Sequence, residues 1–539
     1  MAIIWLATLA TLTTAARIFL LIGISVISGW MLGYLAYKSR RFESVYVPFV
    51  NVMESVPVIG FLPIVLIIFV TKVGGSLGVE LGADFLVLDA VVWNIWIGIY
   101  QAFKTVPEHL IEVSDNYSFS FFERMKELYI PFSIPKIAAN LFPSYADALF
   151  YITVSEVFTV GANTYQTFGI GTLLANEIAK GQIVGVYYSL LILAISVIII
   201  TVVFSRFSQW AVAKYGIDTA ATVQQRQRRT SQYVSRAGYA IATGTRLLSR
   251  FATKALLRGH APHARRRFVV KGVSKYAGIA AVCFILAYVV YSAIAVAISV
   301  PLQQWISYLA FTPYLIFSML VDYVRVLIVA IISLVIAVFL GYWLVLHKRI
   351  ALGILPTIQT LSAFPAPAYF PLIYATTASV LQRYVPFGYT ELYVLFLGFI
   401  SCFYYVFFGF WIGVQSMPSE FWEIMDNHEL GFFTRLRRVV LPSAFPYLIS
   451  GLSSTINSAW AGLSIGEYWP DIFAGHTLQV KTGMMKIIAL SMSSGQIGTA
   501  AWASFIFAAV VTVYAIFFTR NLMNLAQKKY VMEEGIYAA

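Results

Sequence analysis

Apolar runs of membrane-spanning length recur along this chain, at about 17–37, 50–70, 85–103, 137–160 and 184–205, and again at about 325–346, 355–377, 391–414, 446–468 and 498–519. A hydrocarbon core about 30 Å thick is crossed by about 20 helical residues. Backbone in lipid finds no water to bond, so each run has to satisfy its own N–H and C=O groups, as a helix does. The chain is therefore restricted to an all-α polytopic membrane protein. Composition agrees: 60% of the 539 residues are hydrophobic and 11% charged, with a mean hydropathy of +0.78, too little polar surface to wrap a water-soluble core. The N-terminus begins apolar and lacks a basic leader region, so it is expected to be retained.

The runs are not independent. Arg17, Gly33, Tyr34, Arg41, Pro48, Pro57 and Pro63 recur 308 positions later (325 − 17) as Arg325, Gly341, Tyr342, Arg349, Pro356, Pro365 and Pro371. Further on, Pro107, Glu112, Asp115, Asn116, Arg124, Pro131 and Pro135 recur 311 positions later (418 − 107) as Pro418, Glu423, Asp426, Asn427, Arg435, Pro442 and Pro446. Glu156 keeps that spacing to Glu467, and Gly181-Gln182-Ile183 meets Gly495-Gln496-Ile497 after three more inserted residues. Two homologous five-helix repeats thus share one chain. The expected boundaries are 1–215 for the first repeat and 216–275 for a basic cytoplasmic linker. An extra transmembrane helix with an extracytoplasmic connection follows at 276–324, then the second repeat at 325–529 and a C-terminal tail at 530–539.

Lys and Arg collect on the cytoplasmic side of membrane proteins. In the first repeat Arg40-Arg41, the loop after Lys104, and Arg206 with Lys214 fall on one side; in the second, His347-Lys348-Arg349, the matching loop, and Arg520 with Lys528-Lys529 do the same. The repeats are therefore parallel. Five is odd, so a repeat that starts outside ends inside, and a parallel successor needs one extra crossing. The apolar run at 276–300 supplies it, giving about 11 spans with the N-terminus outside and the C-terminus cytoplasmic. The net charge of +13 would suggest a nucleic-acid partner for a soluble protein. Here residues 214–275 alone hold ten Arg and four Lys against one acid, Asp218, so no nucleic acid is expected. That stretch either fixes the topology of the span after it or contacts anionic lipid, where each basic residue contributes about 1 kcal/mol. Cys283 and Cys402 sit in apolar runs without C-x-x-C spacing and read as core thiols.

Between the third and fourth runs of each repeat lies a polar island. In residues 418–446, Pro418 suits a first helical position, Gly431 the positive φ that ends a helix, and Pro442 with Pro446 the close of a second, so a helix, an elbow and a helix are expected. Glu, a Gly about eight residues on, and an aliphatic-Leu-Pro ending resemble the Glu-Ala-Ala loop of the permease subunits of ABC-type importers. That resemblance implies that Glu112, Asp115, Ser120 and Pro131, with Glu423, Asp426, Gly431 and Pro442, belong to two coupling helices that dock into ATPase subunits. The second copy matches more closely. In the first, Ser120 stands where the family has Gly and Ile130-Pro131 replaces Leu-Pro; neither copy has the two alanines, having Val113-Ser114 and Ile424-Met425 instead. Gly431 is therefore expected to make the firmer elbow. The segments after Glu156 and Glu467 are similar to the nitrate, sulfonate and taurine branch of that family, with Gly169-Ile170-Gly171 in the first repeat and no clean equivalent in the second.

No Gly-Lys dipeptide occurs, so the phosphate-cradling loop G-x-x-x-x-G-K-[ST] is missing and ATP is not held by that route. His428-Glu429 lacks the second histidine of H-E-x-x-H, Phe432 standing in its place. No enzyme chemistry, metal or other cofactor is expected. Glu156 and Glu467 are carboxylates within apolar spans, costly there unless they face a cavity, a partner or protein interior. Two readings stay open: each lines or gates the translocation pathway, or each anchors by hydrogen bonds the loop after its own span.

The resemblance implies a permease with several partners: two cytoplasmic ABC ATPase subunits, one under each loop, an extracytoplasmic solute-binding protein, and membrane lipid around the bundle. The solute it implies is small and anionic or organic, such as nitrate, a sulfonate or taurine. The competing class is an ATP-independent secondary transporter or channel. That class needs coupling-ion sites among intramembrane charges, for which Glu156, Glu467, Asp147 and Asp322 are the candidates.

Overall fold

The structure, a computed structural model, describes residues 2–56, 58–160, 163–215 and 300–514. Packing separates a main unit, Met1–Tyr215 with Ala310–Ala539, from a second, Gly216–Leu309. Of the second unit only residues 300–309 are described, a bend and the first turns of the helix that opens the second repeat. The linker at 216–275 and, but for its last residue, the crossing expected at 276–300 lie outside the described residues.

In the first repeat α1 (Ala2–Lys38) ends on a basic residue, and the hydroxyl of Ser39 accepts from the Phe42 N–H to start α2 (Arg40–Ser55). Residues 58–73 then form short turns of 3-10, α and π geometry until Gly74, at φ 70°, ends them. α3 (Gly75–Lys104) leads to α4 (Glu108–Asn116), and Phe121–Arg124 runs through a π-helical stretch, Met125–Tyr129, into α5 (Ile130–Ser155). An antiparallel hairpin follows, β1 (Val157–Val160) with β2 (Asn163–Gln166), in the register Val157 to Gln166. The short helix α6 (Ile170–Ala179) and the long α7 (Ile183–Tyr215) complete the repeat.

The second repeat keeps this order: α8 (Leu302–Leu346), α9 (Lys348–Ala363), α10 (Ala366–Tyr384), α11 (Tyr389–Gln415) and α12 (Ser419–Asn427). Then come Phe432–Arg435, a π-helical Leu436–Val440 and α13 (Leu441–Gly466), hairpin β3 (Tyr468–Phe473) with β4 (His476–Gln479), α14 (Met484–Ser493) and α15 (Ile497–Tyr514). Because α8 starts at Leu302, the connection expected up to residue 324 is helical from that point.

Three expectations are corrected. The run at 355–377 is two helices, α9 and α10, meeting at 97°. Pro365 lacks an N–H and holds Phe364 extended, at φ −83° and ψ 121°, so the helix cannot continue. The run at 50–70 breaks likewise, Val56 before Pro57 being extended. Pro442 and Pro446 do not close a helix: Phe432–Gly466 is one continuous run, and α5 is entered the same way through Pro131. A proline offers no N–H to the carbonyl four residues back, and the turn before it widens to π geometry. Among the described residues seven helices are long and apolar enough to cross a membrane, or eight with the bent pair as one span. The other expected spans are the broken 50–70 run, α5, which carries Lys136, Asn140 and Asp147, and residues 276–300.

Small residues let helices meet where lipid offers no hydrophobic drive. A Cβ on Gly462 of α13 would lie 2.7 Å from the Gly398 Cα of α11, and one on Gly409 3.2 Å from the Gly451 Cα. The repeats interlock: α9 and α10 pack on α5, and residues 58–65 pack on α15, with the Phe507 ring over Gly60. Leu20, Leu191 and Leu327 remain more than half exposed on α1, α7 and α8, apolar faces suited to lipid.

Candidate functional site

At each elbow an arginine ties the returning helix to the turn before it. Arg124 pairs with Asp115 and donates from Nε to the Phe119 carbonyl at 3.2 Å. Arg435 Nη1 lies 2.7 Å from Asp426 Oδ1, and its Nε donates to the Leu430 carbonyl. Positive φ falls on Ser118 (52°) and Glu429 (48°). Gly431 is extended at φ −69° and ψ 160°, as is Ser120 at φ −64° and ψ 165°, and each precedes its helix as a cap. The expected left-handed Gly431 is thus corrected, because the chain has already turned two residues earlier. Ser120 is the better cap: the Glu123 N–H donates to its hydroxyl at 3.4 Å, and its own N–H donates to the Glu123 carboxylate at 2.8 Å. Glu112, Asp115, Ser120, Glu423, Asp426 and Gly431 are all exposed, while Pro131 and Pro442 are half-buried at the second position of α5 and α13. Beside them Phe122 and Phe433 stand 79% and 71% exposed.

At the opposite end of α5 and α13 sits a second constellation, repeated in both halves. Glu156 is fully buried; its Oε1 accepts from Thr14 Oγ1 at 2.8 Å and Arg17 Nη1 at 3.3 Å, and its Oε2 from the Gly171 N–H at 2.6 Å. Arg17 also meets Glu80 at 2.6 Å and Asp84 at 3.2 Å. Glu467, equally buried, accepts from Arg325 Nη1 at 3.2 Å and from the Lys486 N–H at 3.1 Å. Arg325 in turn meets Asp322 at 2.7 Å and Glu391 at 2.8 Å. One arginine and three carboxylates thus form each cluster.

These carboxylates perform a specific local task. α6 and α14 begin at Gly169 and Gly483, which carry no side chain to cap them. Their first N–H groups are taken instead by groups from other elements: Thr14 Oγ1 accepts from Ile170 N at 3.0 Å and Asp322 Oδ2 from Met484 N at 2.7 Å, beside the bonds from Gly171 and Lys486. Negative charge at a helix N-terminus is favoured by its dipole. A Cβ on Gly169 or Gly483 would run into the Glu156 or Glu467 carboxylate. Gly483 is therefore the counterpart of Gly169, 314 positions on (483 − 169), while Met485 stands where the first repeat has Gly171, so the second repeat keeps only the first glycine of Gly169-Ile170-Gly171. Two of the three inserted residues lie in the longer β3–β4 hairpin, whose register shifts between Trp469 and Phe473, and the third between Val480 and Gly483.

Between the repeats lies a cavity of about 100 Å³. Glu54, Asp89 and Asp147 line it from the first repeat, and Tyr404, Tyr405 and Ser458 from the second. Asp147 and Ser458 are equivalent positions (458 − 147 = 311), so the repeat register meets itself across this space. Tyr405 donates its hydroxyl to Asp147 Oδ1 at 2.7 Å. Neither Glu156 nor Glu467 is among the lining residues.

Sequence reasoning singled out Glu156, Glu467 and Asp322 but neither the arginines that join them nor Thr14, Glu80, Asp84 and Glu391 beside them. Arg17 and Arg325 stood in the repeat register only as landmarks. Glu80 and Glu391 keep the same 311 spacing (391 − 80), a signal that was available and went unused. The cavity acids Glu54 and Asp89 have no charged counterpart in the second repeat, so the register could not mark them.

The sequence pattern of the family described as "binding-protein-dependent transport system inner membrane component" matches residues 25–216 and again residues 333–531, once per repeat. A Bacillus subtilis (strain 168) protein with the provisional name aliphatic sulfonates transport permease protein SsuC is 25% identical over 135 residues, which cover 25% of this chain and 44% of that protein. The chain thus spans less than half the length of this curated relative.

Proposed function

This chain belongs to the family of binding-protein-dependent transport system inner membrane components, and from that membership we propose that it forms the membrane pathway of an ATP-driven ABC importer. Two cytoplasmic ATPase subunits drive it, one at each elbow, and an extracytoplasmic binding protein delivers the solute. The observation that carries this reading is the matched pair of elbows. Each offers an exposed ring, Phe122 or Phe433, and an exposed acid, Glu112 or Glu423, on a turn locked by its own Arg–Asp pair. A few apolar anchors ringed by charge are what a partner groove binds.

Each elbow is also mechanically continuous with the pathway. α5 and α13 are 26 residues each, or about 39 Å of rise, and join an elbow at one end to an arginine–carboxylate cluster at the other. Asp147 and Ser458, which line the cavity, lie on these same helices. A push on the elbow therefore moves the cavity wall and the hairpin anchor together. The Lys and Arg bias assigns the elbows to the cytoplasm, which leaves the clusters and hairpins at the outer end, where a binding protein arrives. A parallel repeat about an axis along the membrane normal is the symmetry such rocking needs.

For the solute, the branch resemblance and the name of the Bacillus relative suggest a small anionic or organic molecule such as nitrate, a sulfonate or taurine. Co-purification in mild detergent, followed by solute-stimulated ATP hydrolysis after reconstitution, tests the function. An ATP-independent transporter or channel would retain no ATPase subunit, and that result would overturn the proposal.

A further inference from the structure

We propose that the cavity between the repeats selects a solute carrying an organic ammonium group and rejects one whose only charge is negative. The inference rests on the importer reading for the identity of the cavity as a solute pathway, and of the solutes named there it keeps taurine, which carries an ammonium group, and excludes nitrate and simple alkyl sulfonates. The cavity's own chemistry stands apart from that reading. Three carboxylates, those of Glu54, Asp89 and Asp147, line one space of about 100 Å³, and no Lys or Arg is among the described residues that line it. Asp89 is buried, Asp147 half-buried and Glu54 exposed at the wall; carboxylates facing one space raise one another's energy, and a cation placed among them relieves it.

The second observation is an unmet bond. Asp89 is 6% exposed, and its Oδ2 has no donor in hydrogen-bonding geometry among the described residues, the Trp93 indole N–H one turn on being likewise without an acceptor. Buried polar oxygens without a partner are rare in native proteins and mark a place where a ligand or water can donate. Trp93 and Tyr404 add aromatic surface to the same walls, and such faces attract ammonium groups. A nitrate or an alkyl sulfonate would face three carboxylates here, with only hydroxyl, amide and indole donors to offset them.

The repeat itself shows that the fold does not require these acids. At the equivalent positions the second repeat has Ser362 for Glu54 (362 − 54 = 308), Ile400 for Asp89 and Ser458 for Asp147 (both 311 on). It builds the same helices without the charges. By contrast, the structural carboxylates Glu80 and Glu156 are kept in both repeats, as Glu391 and Glu467. Acids present in one repeat alone, and gathered in one cavity, are there for what enters it.

The experiment uses the full chain in lipid nanodiscs, with radiolabelled choline as the probe and tetramethylammonium, ethanesulfonate and glycerol as competitors. Choline should bind saturably and be displaced by tetramethylammonium but not by ethanesulfonate or glycerol. Asp147→Asn should weaken choline binding at least tenfold. Glu54→Gln, at an exposed cavity wall, should also weaken it and guards against a folding failure in the first variant; the melting temperature of each variant in detergent checks the fold. Absent choline binding, displacement by ethanesulfonate or by glycerol, or undiminished binding in both folded variants would each overturn the inference. Choline binding by a chain that retains no ATPase subunit would sink the importer reading and leave the cation site standing.

Discussion

Gly169 and Gly483 are demanded by space alone, since both have extended φ that any residue adopts. The glutamate that caps each helix occupies the volume a Cβ would need. Gly169→Ala should therefore displace Glu156 from the Gly171 N–H and destabilise the protein by about 1–3 kcal/mol. Gly431→Ala is the contrast: its φ is −69° and no heavy atom lies within 4 Å of a new Cβ, so its effect should stay within about 0.5 kcal/mol. Denaturant unfolding in detergent distinguishes the two, and a neutral Gly169→Ala would remove the capping account. Glu467→Ala should cost about 1–3 kcal/mol, because Arg325 keeps Asp322 and Glu391 while the Lys486 N–H loses its acceptor. Glu467→Gln should recover most of that loss by keeping an acceptor for the Lys486 N–H. The two glutamates were legible in the sequence because a charge in an apolar run stands out. Their function as caps was not, since the helix starts they serve lie 15 and 19 residues on, beyond a hairpin the sequence did not reveal, and Thr14 and Asp322 are more than a hundred residues away.

The elbow is the element where sequence and structure differ most instructively. Proline and glycine punctuation located it correctly, at 107–135 and 418–446, and Pro418 does open its helix, but Gly431, Pro442 and Pro446 were assigned the wrong tasks. Gly431 is a cap, not a left-handed turn, and Pro131 and Pro442 sit inside helices that a π-helical turn lets through. Tertiary packing of an apolar face sustains a helix past a proline when the lost bond can be spread over a widened turn. Ser120 also carries a capping box that Gly431 cannot. The reason to expect unequal elbows is gone, and Glu112→Lys and Glu423→Lys should impair solute-stimulated ATP hydrolysis to a similar degree. Like charges brought together at a desolvated contact can cost several kcal/mol. Stimulated ATPase activity of the reconstituted complex measures this, with the isolated ATPase as control. Full stimulation in both variants would show that the elbows are not the contact. The paired hairpins, in turn, escaped the sequence reading because four-residue strands leave no readable alternation.

At the scale of the whole molecule the decisive question is which way the two repeats run. The turn of the β3–β4 hairpin reaches the first repeat, where the Ala474 N–H donates to the Ile178 carbonyl of α6 at 3.3 Å. Both arginine–carboxylate clusters adjoin these elements, so the cluster ends of the two repeats lie on one side. Repeats inverted across the membrane would put them on opposite sides. With the clusters together, α7 starts near the cluster side at Ile183 and leaves toward the elbow side at Tyr215. α8 runs the same way, from residues that precede Arg325 of the second cluster toward Leu346, which adjoins α9. The first repeat therefore ends on the elbow side and the second begins on the cluster side, which is the arrangement for which an extra crossing at 276–300 is proposed. A reporter fused near Gln303 or Gln304 should be extracytoplasmic, and one placed within 220–270 should be cytoplasmic. Accessibility of each reporter to a membrane-impermeant reagent in intact cells measures this. Finding both on one side would remove the eleven-span arrangement and, with it, the parallel repeats on which two equivalent elbows depend.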